Sequence, residues 1–323
     1  MKASRLAYLG PEGTFAEEAL SSVKTIDVNG LETCSPMRSV QAVISSIEAG
    51  TFDYGLVPIE NSVDGEVMST LDALVFATSR CLIREEVILP VSFTSLRRVG
   101  DTSPPRVAIS HPAALGQCRS YIESRSLEER AVASTAEACR IVAGGSETGL
   151  VAIASSRSGL LHGLETAEER IEDFPGASTR FALLSRELSP LAGSENAGSD
   201  VKTFFVLTPP EDRTGILADM LKAFSDRGLG LASITSRPLR SALGTYCFLL
   251  EVRAGLGSTD LIAAMKELSS LGCAVKYLGT YAAFEGERVT TPFAAGPAGS
   301  LPPGDPASVD ALASRVLTDR SGD

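Results

Sequence analysis

Residues 5–17 read Arg-Leu-Ala-Tyr-Leu-Gly-Pro-Glu-Gly-Thr-Phe-Ala-Glu, and this stretch decides the fold. The apolar run Arg5–Leu9 predicts a strand, and the glycines and proline of Gly10–Gly13 predict a tight loop. Thr14 and Glu17 have the spacing of a capping box, in which a hydroxyl and a carboxylate each accept a backbone N–H at a helix start. The stretch therefore predicts a strand, a loop and a helix, the repeating unit of an α/β fold.

The same unit recurs to about residue 185. The elements of a first group are a helix capped by Ser39 and ending near Gly50, strand Tyr54–Val57, loop Pro58–Gly65 and helix Glu66–Val75. After a Gly/Pro break, those of a second group are strand Arg106–Ser110, helix Ala113–Ser124, strand Arg130–Ala133, a capping box at Ser134 and Glu137, strand Leu150–Ala154 and a helix near Ser155–Leu161. This alternation is typical of parallel sheets with helical crossovers.

Two such groups predict two α/β lobes, between which the chain crosses near residues 80–105 and again near 165–180. A cleft is then expected between the C-terminal ends of the strands, where such sheets bind ligands. Helix starts at Gly13-Thr14, His111-Pro112 and Ser155-Ser156 follow strands directly, so their free N–H groups are expected to face the cleft. Such a cleft suits a small carboxylate ligand, although every α/β unit has helix starts and most bind nothing.

The chain divides again after the α/β part. Residues 187–200 are small, polar and interrupted by Gly and Pro, which is typical of a linker. The elements beyond it spell the ferredoxin-like order βαββαβ, with strand Val201–Leu207, helix Gly215–Asp226, strands Leu231–Leu239 and Thr245–Val252, helix Thr259–Leu271 and strand Ala274–Tyr281. Pro, Gly, Ala and Ser then predominate, which predicts a disordered tail. The predicted segments are 1–186, 187–200, 201–286 and 287–323.

Composition excludes several classes of partner. The formal net charge of −11, without any Lys/Arg cluster, repels polyanions, so no nucleic acid is expected. The apolar runs are far shorter than the roughly 20 residues that span a membrane, and the N-terminus carries no export signal. A cytoplasmic protein without membrane contact is therefore expected. The six cysteines lie far apart and only two histidines are present, so no metal site is expected.

Two polar segments at strand ends carry groups suited to chemistry. The predicted loop 58–65 contains Glu60-Asn61-Ser62, and the later segment places Thr179 beside Arg180, whose guanidinium matches carboxylate geometry. Considered alone, both segments are equally compatible with surface turns whose side chains cap the backbone. No lysine of a Walker motif follows Gly10–Gly13 and no G-x-G-x-x-G spacing occurs, which argues against a nucleotide site.

The chain resembles the prephenate dehydratases in six segments that occur in the family's order. They are Gly10–Phe15, Tyr54–Ser62, His111–Cys118, Ser134–Arg140, Val151–Gly163 and Ser178–Phe181. The resemblance implies a two-lobed α/β catalytic domain of the periplasmic-binding-protein-like type II fold. Residues 201–281 resemble the ferredoxin-like ACT regulatory domain that follows it in this family.

The resemblance also implies a reaction without cofactor or metal. Carbon dioxide and the ring hydroxyl leave prephenate and phenylpyruvate remains, a step of L-phenylalanine biosynthesis. Thr179 is expected to donate a hydrogen bond to the departing hydroxyl, with Glu60, Asn61 and Ser62 as further catalytic residues and Glu60 or His111 as the proton source. The expected substrate-binding residues are Gly13, Thr14, Phe15, His111, Ser155, Arg180 and Phe181.

Control by L-phenylalanine and a homodimer or homotetramer follow from the same resemblance. The expected regulatory residues are Gly215, Ile216, Leu217, Gly230, Leu231, Thr235, Ser236, Arg237 and Pro238. The chain departs from its relatives at four positions. Ala177 and Ala113 replace an Asn and a Gln of the catalytic part, and Gly230 and Thr235 replace an Asn and a Glu of the regulatory part. The last two changes remove polar partners of an effector's ammonium group.

Three other functions remain compatible with the sequence. They are an arogenate dehydratase, a non-aromatising prephenate decarboxylase, and a non-catalytic cytoplasmic amino-acid sensor built from a two-lobed binding fold. The presence of Glu60-Asn61-Ser62 and Thr179 argues against the decarboxylase, which needs no group to assist a leaving hydroxyl.

Overall fold

The computed structural model describes residues 4–189, 191, 201–240, 244–283, 308, 309 and 311. Nearly all of the predicted tail 287–323, and most of the predicted linker 187–200, lie outside the described residues. Three sheets form within the described part of the chain. No helix there is long and apolar enough to cross a membrane.

The elements up to residue 185 are, in chain order, β1 (Arg5–Leu9), α1 (Phe15–Ala19), β2 (Thr33–Met37), α2 (Val40–Glu48), β3 (Tyr54–Asn61), β4 (Gly65–Glu66), α3 (Met68–Phe76), β5 (Leu82–Pro90), β6 (Thr94–Arg98), β7 (Val107–Ser110), α4 (Pro112–Gln117), α5 (Arg119–Ser124), β8 (Glu128–Ala131), α6 (Thr135–Gly144), β9 (Leu150–Ala154), α7 (Ser156–Leu161), β10 (Leu164–Glu169) and β11 (Ser178–Ser185). Those that follow are β12 (Val201–Thr208), α8 (Ile216–Ser225), β13 (Leu231–Pro238), β14 (Tyr246–Val252), α9 (Thr259–Ser270) and β15 (Ala274–Ala282).

The first lobe is built on a mixed sheet with the strand order β2-β1-β3-β11-β5. β1 pairs in parallel with β2 and β3, as the alternating pattern predicts. β11 pairs antiparallel with β3 and β5, so the predicted parallel sheet is wrong for these strands. The reason is topological, because β11 returns from the second lobe instead of following a helical crossover.

The second lobe has the strand order β10-β6-β9-β7-β8. The chain enters it over residues 91–93 and leaves it over 170–177, inside the two predicted crossing ranges. Within the range 80–105, Leu82–Pro90 and Thr94–Arg98 are strands of different sheets, so the connection between the lobes is confined to the three residues between them. The single helix predicted over Ala113–Ser124 is two short helices that meet at Cys118, whose ψ of 30° interrupts the first.

Two local predictions need correction. β3 continues to Asn61, so the first half of the loop predicted over 58–65 is strand and only a short turn precedes β4. The capping box predicted at Thr14 is half formed. Glu17 accepts from the backbone N–H of Gly13, whereas the Thr14 hydroxyl donates to the carbonyls of Leu9 and Pro11 and caps no helix N–H. The hydroxyl thereby ties the loop together.

The third sheet confirms the predicted order βαββαβ, with antiparallel strands arranged β13-β14-β12-β15. One face packs on α8 and α9, and the other shares a hydrophobic core with α2 and α3 of the first lobe. β15 approaches β5 so closely that a Cβ atom on Gly279 would lie 2.2 Å from the carbonyl oxygen of Ile83. Only glycine fits this contact, which holds the third sheet against the first lobe.

Candidate active site

A cleft of about 340 Å³ lies between the two lobes. Its walls come from loops and strand ends on both sides, including the starts of α1, α4 and α6. The residues used below are Thr14, Phe15, Arg38, Asn61, Asp64, Thr179 and Phe181 of the first lobe, together with Phe93, His111, Gln117, Ser134 and Thr135 of the second lobe and its entry. The predicted position of the ligand cleft between the lobes is thus supported by a cavity of suitable size.

A hydrogen bond between Asn61 and Thr179 defines the polar floor of the cleft. The two residues face each other across the β3–β11 ladder, and Asn61 Nδ2 donates to Thr179 Oγ1 at 2.9 Å. Asn61 Oδ1 accepts from the backbone N–H groups of Val63 at 2.8 Å and Asp64 at 3.0 Å, which fixes the orientation of the amide. The Thr179 oxygen therefore acts as an acceptor toward Asn61, and its proton is left to donate into the cleft.

A polar contact across the cleft joins the two lobes. Gln117 Nε2 of α4 donates to Asp64 Oδ2 in the turn after β3 at 2.7 Å. Gln117 is only 3 % exposed, and its Oε1 has no hydrogen-bond partner among the described residues. A buried amide oxygen without a donor favours a ligand that supplies one.

Aromatic rings form the apolar wall. Phe15 and Phe93 meet edge to face with centroids 5.6 Å apart, and Phe181 lines the same cleft while remaining 2 % exposed. Rings of this kind favour a flat six-membered ligand. Arg38, between β2 and α2, supplies the one permanently positive side chain among the described residues that line the cleft.

Six of the predicted catalytic and substrate-binding residues line this cleft: Thr14, Phe15, Asn61, His111, Thr179 and Phe181. His111 is the N-cap of α4, and its Nδ1 accepts from the N–H of Ala113 at 3.3 Å, so this nitrogen is already engaged by the backbone.

Five predicted residues lie outside the lining: Gly13, Glu60, Ser62, Ser155 and Arg180. Gly13 is packed against α7, where an added Cβ would lie 3.1 Å from Leu161. Ser155 is buried and accepts from the N–H of Ser158 at 3.2 Å, so its hydroxyl caps α7 and does not face the cleft. Ser62 Oγ accepts from the N–H of Ser178 at 3.0 Å.

Arg180 and Glu60 point to the opposite side of the sheet. Arg180 Nη2 lies 3.0 Å from Glu60 Oε2, and the guanidinium side chain is 14 % exposed among further carboxylates. Burial alone lowers the pKa of Arg180, but the carboxylates of Glu251, Glu86 and Glu60 raise it above its ordinary value, so this side chain stays charged. The expectation that Arg180 holds a substrate carboxylate is therefore not supported by its position.

The predicted regulatory residues divide between α8 and β13. Gly215 precedes α8 as its N-cap with a φ of 86°, and Ile216 is buried below it. On β13, the Thr235 hydroxyl donates to Glu66 and Arg237 Nε lies 2.9 Å from Asp72 Oδ1, so both side chains are engaged with the first lobe.

The sequence patterns indicated no ligand-binding role for Arg38, Asp64, Gln117, Ser134 or Thr135, although Ser134 was predicted as a helix cap. Arg38 follows β2 directly and precedes the helix cap Ser39, which is the position where α/β sheets present ligand-binding groups. A cation directly after a strand is the sequence pattern that could have indicated a ligand-binding role for Arg38. The pairing of Asp64 with Gln117 joins residues 53 positions apart, and no local pattern indicates it.

The fold and the cleft together define a class of enzyme with a two-lobed α/β domain, whose cleft suits a small anionic substrate because one cation and a positioned hydroxyl face it. The family model of prephenate dehydratase matches residues 6–189, more than half of the chain, and the chain belongs to this family. The predicted function, a carbon–oxygen lyase acting on prephenate in phenylalanine biosynthesis, is thereby confirmed.

Curated and structural relatives agree with this assignment. The prephenate dehydratase of Mycobacterium leprae is 34% identical over 317 residues, which cover 95% of this chain and 93% of the relative. That of Lactococcus lactis is 32% identical and covers 87% of this chain and 98% of the relative. The crystal structure of prephenate dehydratase from Arthrobacter aurescens in complex with L-Phe is 29% identical, has a TM-score of 0.77, and covers 98% of this chain and 100% of that one.

Proposed function

We propose that the Thr179 hydroxyl is the hydrogen-bond donor to the leaving ring hydroxyl of prephenate. The supporting observation is the Asn61–Thr179 hydrogen bond, in which the amide donates and leaves the Thr179 proton directed elsewhere. In the reaction the bond to the carboxylate breaks, its electrons form the last ring double bond, and the hydroxyl departs. The departing oxygen takes up one proton to become water, so prephenate and a proton give phenylpyruvate, carbon dioxide and water.

Thr179 contributes by stabilising charge and not by giving up its proton permanently. An alcohol is a weak acid, whereas a fixed O–H donor lowers the energy of the oxygen that gains negative charge in the transition state. The turn after β3 keeps Asn61 in place through two backbone N–H groups, so the donor is oriented before substrate arrives. The proton is proposed to come from His111 or from water, since Glu60 lies outside the cleft lining and a histidine whose Nδ1 accepts from the backbone carries its ring proton on Nε2.

Arg38 is proposed to hold one substrate carboxylate in place of Arg180. Arg38 is the one permanently charged cation among the described residues of the lining, and it directly follows β2. A carboxylate bound there would also face the helix starts of α1 and α6, which line the same cleft. The edge-to-face rings of Phe15 and Phe93, with Phe181, are proposed to bind the ring of prephenate. Thr14 and His111 then complete the polar rim.

The test is phenylpyruvate formation from prephenate by Thr179→Ala, Thr179→Ser and the wild-type chain, followed by the product's alkaline absorbance. Loss of one such donor typically lowers kcat by about 10²–10³-fold, so this drop is expected for Thr179→Ala. Thr179→Ser keeps the hydroxyl and is expected to retain most of kcat. Thr166→Ala, at an exposed position of β10, is the matched control and should match the wild type. Equal kcat in Thr179→Ala and the wild type would contradict the proposal.

The residues from 201 to 286 are proposed to form an ACT regulatory domain that binds L-phenylalanine in a homodimer or homotetramer. The βαββαβ order supports the fold, and the Arthrobacter aurescens relative was solved with L-Phe. Residues 1–186 are proposed as the catalytic domain. Titration calorimetry with L-phenylalanine, repeated with D-phenylalanine and combined with light scattering, tests the effector and the oligomer. The absence of heat and of any change in kcat with L-phenylalanine would contradict this part.

A further inference from the structure

The ladder between β3 and β11 places two residue pairs side by side on opposite faces of the first sheet. Asn61 lies opposite Thr179, and the next pair along the ladder is Glu60 opposite Arg180. Because successive side chains of a strand point to opposite faces, the first pair lies on the cleft floor and the second faces the βαββαβ sheet. Arg180 is thus bonded through the backbone to the residue whose position matters most for the proposed reaction.

Arg180 ends in a group of charges that we name the charge cluster, formed by the largely buried Arg180, Glu86, Glu251 and Lys202 and by the partly exposed Glu60. Arg180 Nη1 lies 2.5 Å from Glu251 Oε1 and 3.3 Å from Glu86 Oε2, and Lys202 Nζ lies 2.6 Å from Glu86 Oε2. The side chains of Glu86 and Glu251 are each 3 % exposed. Such a cluster tolerates little rearrangement, because a charge that loses its partner in a buried site is strongly destabilised.

Within the charge cluster, Glu251 of the βαββαβ sheet fixes the guanidinium of Arg180. It belongs to β14 and also accepts from Tyr281 Oη at 2.6 Å and from Ser233 Oγ at 3.2 Å. These contacts come from both sides of β14, so the carboxylate is held before it meets Arg180. Its position is therefore set by the third sheet.

The backbone next to Thr179 needs such support. The pairing register of β11 with β3 shifts between Arg180 and Phe181, so Ile59 is an extra residue on β3 at this point. A bulge interrupts the ladder and re-aims the side chains beside it. Hydrogen bonding between these strands is thus irregular one residue away from Thr179, at the position that the guanidinium anchors.

We propose that Glu251 is a positioning residue for the reaction, which acts on Thr179 through Arg180. The proposal rests on the proposed role of Thr179 and extends it, since a side chain of the βαββαβ domain then contributes to turnover without touching substrate. A misplacement of about 1 Å in a reacting geometry can lower a rate by about a hundredfold, so a small shift of β11 is sufficient.

The test compares Glu251→Gln with Lys276→Met in the full chain. Lys276 is the matched control because it also crosses from the third sheet to the first lobe. Its Nζ donates to the carbonyls of Leu74, Val75 and Thr78 at 2.6, 2.9 and 2.5 Å, none of which belongs to β11 or to the charge cluster. Both variants are expected to lower the melting temperature. Only Glu251→Gln is expected to lower kcat, by about tenfold or more, with KM for prephenate within about twofold of the wild type.

The conservative variant Glu251→Asp keeps the charge and is expected to restore part of kcat. It also serves as the test protein if Glu251→Gln does not fold, and its kcat is then expected below that of Lys276→Met. An unchanged kcat in the folded Glu251 variant, or an equal loss in Lys276→Met, would overturn the positioning role. Thr179→Ala, measured alongside, separates the two proposals: if it matches the wild type, the role of Thr179 itself fails.

Discussion

The two faces of the β3–β11 strand pair are chemically opposite. The cleft face presents the neutral pair Asn61 and Thr179 between aromatic walls, whereas the rear face carries Glu60 and Arg180 among buried ions. Residues 60–61 of β3 and 179–180 of β11 each supply one residue to each face. Neighbouring residues of one motif therefore have different tasks, since a strand sends each successive side chain to the other face.

This difference also explains how the reaction site stays uncharged at its floor. A cation beside Thr179 would compete for its oxygen and change which partner receives its proton. Because the charges lie on the rear face, ion pairs anchor β11 there, while the Thr179 hydroxyl on the cleft face accepts from the neutral Asn61 amide. The rear face is thus expected to govern stability and, through Arg180, the position of Thr179, whereas the cleft face is expected to act on turnover directly.

The largest effect on stability is expected from Arg180→Met. This change leaves Glu251 and Glu86 buried with Lys202 as the remaining cation of the charge cluster. Removing one partner of a buried ion pair typically costs about 3–5 kcal/mol, and we expect a loss of this size in the free energy of unfolding. Urea denaturation followed by circular dichroism measures it. Thr179→Ala is the control on the other face, and a comparable loss there would erase the distinction between the faces.

The cleft face is tested by Asn61→Asp, which reverses the hydrogen bond to Thr179. A carboxylate can still accept from Val63 and Asp64, but its second oxygen can only accept, so the Thr179 proton turns toward it and away from substrate. A fall in kcat of about 10²-fold is expected from steady-state kinetics.

Asn29→Asp makes the same chemical change at an exposed position of the first lobe and controls for added charge. Repulsion of the anionic substrate alone would raise KM and leave kcat unaltered. That result for Asn61→Asp would show that the direction of the hydrogen bond does not matter.

The sequence pattern did not predict the contrast between the two faces, because it favoured a loop where the structure has a strand. The segment after Tyr54 contains Pro58 and four polar residues, which favours a loop, and a loop has no alternation to separate Glu60 from Asn61. Tertiary pairing with β11 extends the strand to Asn61. Once the strand is known, alternation alone places Asn61 in the cleft and Glu60 behind it.

β5 was missed for a related reason. Its residues Arg84, Glu85 and Glu86 interrupt the apolar pattern and favour an exposed crossing. Both glutamates are buried, and Glu85 accepts from the backbone N–H groups of Lys24 and Thr25 at 2.8 and 2.9 Å. Only distant residues supply these partners, so periodicity could not indicate the strand.

The elements that sequence did predict have local causes. Ser39, Ser134 and Ser258 each accept from an N–H three residues onward, and such caps depend only on residues close in sequence. The apolar stripe of α8 and the apolar residues of β12 and β14 indicated the order βαββαβ. Thr179 and Asn61 were found by family resemblance, Arg38 could have been found from its position after β2, and the contact of Gln117 with Asp64 depends on how the two lobes meet.

The smallest expected effect is the pH dependence of the stability that Glu251 contributes. Burial raises the pKa of this carboxyl, but Arg180 and Lys202 outweigh burial and hold the pKa below its ordinary value of 4.5. A carboxyl with a lowered folded-state pKa contributes stability that is present above its unfolded value and is lost as the pH falls through the folded value. The contribution of the charge cluster is therefore complete at pH 7 and declines below about pH 4.5.

Urea midpoints of the wild type and Glu251→Gln between pH 7 and pH 3 measure this contribution. The difference between them is expected to narrow as the pH falls, because the wild-type carboxyl becomes protonated and approaches the neutral amide. Protonation weakens only the rear face, so Asn61 and Thr179 keep their neutral hydrogen bond throughout. A difference that stays constant across this range would mean that Glu251 stabilises the fold through its hydrogen bonds to Tyr281 and Ser233 and not through its charge.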